Sequence, residues 1–95
     1  MRARLELQVG NTPAHLPPLW VEVSDDNLLQ SEEAVRRQIQ LVRRRVVATS
    51  YRTLDITVRD AEGRVLDAET QARHPWLGSL VSQAYAWFEA PDNGG

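Results

Sequence analysis

The chain of 95 residues contains no cysteine, no lysine and a single methionine. Without cysteine it is neither a disulfide-stapled scaffold nor a zinc-thiolate module. Without lysine, all 11 positive side chains are arginine. Coding bias toward GC-rich codons accounts for that, so it carries no functional inference. No stretch approaches the roughly 18 uninterrupted apolar residues of a membrane helix. The start, Met1-Arg2-Ala3-Arg4-Leu5-Glu6, lacks the apolar run of a secretory signal, so a cytoplasmic location is expected. What is present is ordinary for a folded domain: 42% apolar and 25% charged residues. A single α+β domain over 1–90 is expected, with a flexible tail at 91–95.

Apolar periodicity divides the chain. Ala3, Leu5, Leu7 and Val9 alternate with Arg4, Glu6 and Gln8, the period-two pattern of a half-buried strand. A proline-broken loop, 10–18, leads to a second alternating run, 19–24, with Trp20 on its more polar side. Asp25-Asp26-Asn27 reads as a turn. Ser31 before Glu32 and Glu33 reads as a helix cap. Leu28, Val35, Ile39, Val42 and Val46 then form a stripe at helical spacing, and the helix is expected to stop near Thr49 or Ser50. Residues 52–59 alternate again. Asp60-Ala61-Glu62-Gly63 reads as a hairpin loop with Gly63 supplying a positive φ. The blurred run 64–70 is read as a fourth, short or edge strand. Pro75 suits the first turn of a second helix, followed by Trp76, Leu77, Leu80, Val81, Ala84, Trp87 and Phe88. The order ββαββα predicts a two-layer sandwich: a four-stranded, mainly antiparallel sheet with two helices on one face.

The net charge of −2 conceals a strong segregation. From Arg36 to Arg52 there are six arginines and no acid, while the rest of the chain holds five arginines against 13 acids, a net of −8. On the predicted helix, Arg36, Arg37, Gln40, Arg43 and Arg44 share one face opposite the Val/Ile stripe. Guanidinium groups so placed suit an acidic protein partner or a phosphate backbone. The bland reading is a solvated face, with Glu32 and Glu33 tied to Arg36 and Arg37 in i,i+4 pairs.

Catalytic signals are thin. His15 lies in the proline-rich loop and His74 at a helix entrance, neither with a partner at metal-ligand spacing. His74 forms an acid–base pair only if folding brings Asp67 or Asp55 to it. Ser79 and Ser82 lack a nucleophile-elbow setting, and Gly78 is isolated within a helix. Gly94-Gly95 matches the end of a ubiquitin-like modifier by two residues only. No metal, cofactor or catalytic residue is therefore expected.

Apolar surface is more plentiful than one small core requires. Trp20, Trp76 and Trp87 fall toward the margins of the predicted core, where aromatic anchors of interfaces are found. The expectation is a non-enzymatic interaction domain of the adaptor kind, homodimeric, using Trp20, Trp76 and Trp87 with Arg36, Arg37, Arg43 and Arg44. The alternative is a nucleic-acid-binding domain using the Arg36–Arg45 helix face. No membrane partner is expected.

Overall fold

The computed structural model describes residues 1–9, 17–45 and 53–90. It is α+β, with strands β1 (Arg2–Val9), β2 (Leu19–Ser24) and β3 (Leu54–Asp60) and helices α1 (Leu28–Arg45), α2 (Ala68–Ala72) and α3 (Pro75–Glu89). The sheet has the order β2-β1-β3 and both pairings are antiparallel. Leu5 stands opposite Val21 on one side and Val58 on the other, so the apolar faces of all three strands coincide. That face meets Val35, Ile39 and Val42 of α1 and Leu77, Leu80, Ala84 and Phe88 of α3 in one core. Full burial of side chains such as Phe88, Leu5, Leu7 and Ile39 contributes about 1.5–3 kcal/mol each.

The expected fourth strand over 64–70 does not form among the described residues. The chain returns beside β3 through one bridge, Arg59 to Val65, and then turns away. The cause is Asp67, whose carboxylate accepts the Thr70 backbone N–H at 2.7 Å and caps α2. The element order is therefore ββαβαα. The first helix also starts earlier than its cap signal implies. Ser24 caps a 3-10 turn at Asp25–Asn27 that winds directly into α1, which leaves Ser31 inside the helix and Leu28 40% exposed. Gly63 does adopt a positive φ of 87°, and Pro75 does open α3. The expected end of the first helix, most of the 10–18 loop and the 91–95 tail lie outside the described residues.

Each edge of the sheet is partly occupied, β2 by side chains of α1 and β3 by Tyr85 and the backbone of the returning segment. In an antiparallel ladder, alternate residues of an edge strand aim N–H and C=O outward. On β2 one such residue is Ser24, and the buried Ser31 hydroxyl both accepts its N–H at 2.9 Å and donates to its C=O at 3.2 Å. Two turns further along α1, Gln38 Nε2 donates to the Trp20 carbonyl at 2.8 Å. On β3, Ile56 N–H donates to the Tyr85 hydroxyl at 3.3 Å. Val58 C=O and Asp60 N–H are taken by Leu66 and Arg64 of the returning segment.

Two expectations follow for stability. Ser31→Ala strands the Ser24 N–H and C=O and is expected to cost about 1–3 kcal/mol in urea unfolding. A loss below experimental error would show that α1 is not fixed to β2 by this hydroxyl. Second, the carboxyls of Asp60 and Asp67 are held below the usual value of 3.8. For Asp60 the main cause is the Arg64 backbone N–H, with Glu62 N–H adding to it; for Asp67 it is the Thr70 N–H. Groups lowered in the folded state stabilise it fully above the unfolded pKa, and that contribution disappears as pH falls through the folded pKa. Thermal melts from pH 6 downward should therefore fall most steeply below about pH 4, and D60N with D67N should flatten that limb.

Candidate interaction surface

Alternation places the even-numbered residues of β1 and β2 on the sheet face opposite the core, where no described element lies over them. Trp20 stands there, 52% exposed, directly opposite Glu6 in the β1–β2 register. The Arg4 guanidinium lies 4.6 Å from the centroid of its ring and 3.8 Å from Glu22. Glu6 in turn pairs with Arg59 of β3, which also donates to the Gly63 carbonyl at 2.9 Å. On the open face Arg4, Glu6, Glu22 and Arg59 thus pair among themselves beside one projecting indole. Arg4, Glu6, Glu22 and Arg59 belong to this surface and were not among the expected site residues. Their signal was the alternation itself, read for its polar half.

The other two tryptophans belong to a different environment. Trp76 and Trp87 are half-buried and packed against the core from the flank of α3. Trp76 Nε1 is buried without a hydrogen-bond partner among the described residues, as is Gln83 Oε1. The Arg36 guanidinium covers the Trp87 ring at 4.7 Å from its centroid. The three tryptophans therefore do not converge, and Trp20 alone projects from the molecule.

The arginine face expected on α1 is divided by its neighbours. Arg36 turns to Trp87, and Arg43 Nη2 donates to the Ala90 carbonyl at 3.1 Å, both toward α3. Arg45 turns the opposite way and donates to the Pro17 carbonyl. Arg37 and Arg44 remain exposed and directed outward. Among the described residues, neither takes part in an ion pair, and the expected Glu32–Arg36 and Glu33–Arg37 pairs are not closed. Helical rise puts Arg37 and Arg44 about 10 Å apart along the axis.

Two shallow clefts open at the end of the sheet. One, of about 340 Å³, runs between the start of α1 and β2 and is lined by Arg2, Glu22, Ser24, Asn27, Gln30 and Ser31. The other, about 110 Å³, lies among Arg2, Arg4, Glu22 and Asp60. His74 lines neither. Its electrostatic neighbour is Asp25, a carboxyl lowered chiefly by its hydrogen bond from the Met1 amine and only slightly by His74. Among the described residues no three His, Cys, Asp or Glu side chains are gathered as a metal site, and no helix is long and apolar enough to cross a membrane. Comparison of the chain with protein-family models, curated proteins and solved structures finds no match.

The unequal settings of the arginines have a measurable consequence. Arg36→Ala removes a cation–π contact and should lower stability by about 0.5–1 kcal/mol. Arg37→Ala removes an outward side chain and should change it by less than about 0.5 kcal/mol. Urea midpoints that rank the two variants in the reverse order would contradict the assignment.

Proposed function

We propose that this chain is a small, non-enzymatic protein-interaction domain of the adaptor kind that works as a homodimer. The observation that carries the reading is Trp20: a large aromatic ring half-exposed on an uncovered sheet face, braced by Arg4 and bordered by Glu6 and Glu22. Interface anchors are drawn from such residues because an aromatic ring buries much area at little entropic cost. The partly occupied sheet edges support the same surface, since they favour a face over a strand edge for contact. Trp76, Trp87, Arg36 and Arg43 serve the protein's own packing in this reading and leave the partner-binding set.

Nucleic-acid binding through α1 is the weaker reading, because Arg36, Arg43 and Arg45 are turned to internal partners. It predicts an affinity that falls steeply with salt, and no shift of RNA or DNA is expected even at low salt.

Light scattering at tens of micromolar should return twice the protomer mass of 10.8 kDa. A single-protomer mass across that range removes the homodimer. For the adaptor surface, a photoreactive residue replacing Trp20 should form a discrete adduct with another protein in cells, and the same probe at Ser79 should not. Absence of an adduct at position 20 removes Trp20 as the anchor.

A further inference from the structure

The outward face of α1 carries a pattern that its packing does not require. The buried stripe is Ser31, Val35, Ile39 and Val42. At about 100° per residue, the face opposite holds Leu29, Gln30, Glu33, Arg37, Gln40, Leu41 and Arg44, and all seven are exposed. Leu29 is 78% exposed, the highest value among the large apolar side chains described, and Leu41 is 44% exposed. Asp26, in the turn just before the helix, continues the row and is exposed too. Read from either end about Val35, the row is a chemical palindrome. Asp26 corresponds to Arg44, Leu29 to Leu41, Gln30 to Gln40, and Glu33 to Arg37.

We propose that a second copy of this chain packs antiparallel on this face, across a two-fold axis at the level of Val35. An isologous contact requires a self-complementary patch, and this row is one. Reversing α1 on itself sets Glu33 level with Arg37 of the second copy and Asp26 level with Arg44 of the second copy. The axis repeats each pairing, so four pairs of opposite charge form. Leu29 and Gln30 then share a level with Leu41 and Gln40 of the second copy, which puts the two exposed leucines of each chain into the contact. Parallel packing instead stacks each charge on its like, and like charges at close quarters are repulsive. Glu33, Arg37 and Arg44 are available for the contact, while Asp26 also faces the Met1 amine. Among the described residues, Glu33, Arg37 and Arg44 make no ion pair, although Glu33 and Arg37 stand at i,i+4.

This inference rests on the homodimer reading and adds the surface that forms it. The test is sedimentation velocity on the full chain at low and high salt, with the variants Arg37→Glu, Glu33→Arg and the two combined. The wild type should be a dimer that weakens as salt rises. Either single reversal sets like charges together at both symmetry-related sites and should weaken association roughly tenfold or more. The double reversal restores every pairing and should restore the dimer. Thermal melts at a protein concentration low enough to keep every variant monomeric should be unchanged throughout, because all the altered positions are exposed. A dimer indifferent to both single reversals, or a double variant no better than the singles, overturns this surface while leaving the homodimer intact. A monomer at every concentration overturns both.

Discussion

The hydroxyl of Ser31 fixes the frame on which the rest of the molecule is arranged. It is buried within α1 and bonds both ways to the Ser24 backbone, so the helix lies along the outer edge of β2 in one rotational setting. Gln38 repeats the attachment two turns later. With that side of the helix committed to the strand edge, Val35, Ile39 and Val42 point at the sheet and complete the core. Arg36 and Arg43 are then carried toward α3, and Arg37 and Arg44 away from everything else. The charge distribution on the surface is therefore a consequence of where one serine had to go. A buried hydroxyl with both its donor and its acceptor satisfied is a low-cost way to hold such a setting, whereas the bare edge group it covers would be expensive to bury unpaired.

The opposite edge of the sheet is closed by different means. Tyr85 reaches from α3 to Ile56, and the segment after Gly63 pairs briefly with β3 before Asp67 diverts it into α2. Three strands would otherwise offer two open templates for strand addition. Partly occupied edges shift the emphasis to two broad surfaces: the uncovered sheet face with Trp20, and the outer face of α1. They differ in chemistry. On the sheet face Arg4, Glu6, Glu22 and Arg59 pair among themselves beside one aromatic ring, while on the helix face Glu33, Arg37 and Arg44 make no ion pair among the described residues.

Most of the architecture was legible from period alone. Three strands, two long helices, the positive φ at Gly63 and the proline start of α3 follow from alternation, helical spacing and two backbone-restricted residues. The misreadings came from side chains that bond to the backbone locally. Ser31 resembled a cap because it precedes two glutamates, but Ser24 had already captured the turn seven residues earlier. The run 64–70 resembled a strand, but the Asp67 carboxylate and the Thr70 N–H made a helix start there. On the surface, the sequence identified Trp20 correctly as lying on the wet side of its strand. It grouped Trp76 and Trp87 with it because helical spacing does not tell which flank of α3 meets α1. The arginine face was legible as a set of angles, and its division was not, because guanidinium reach depends on the neighbours that folding supplies.

The ordering of charge along α1 is partly what any helix prefers, with acids near its start and arginines near its end. That preference decays within the terminal turns and does not extend to Glu33 and Arg37, which lie in the interior of α1. Nor does it account for leucines left exposed at positions 29 and 41, equidistant from Val35. A phosphate backbone lying along this face would meet Glu33 and Asp26 as well as the arginines, and an acidic protein would meet the same opposition. A row whose first half repels what its second half attracts fits best a partner carrying the same row in reverse. The row carries two acids and two arginines, so its halves are complementary in charge, and the shortest route to a molecule with that reversed order is a second copy of this one.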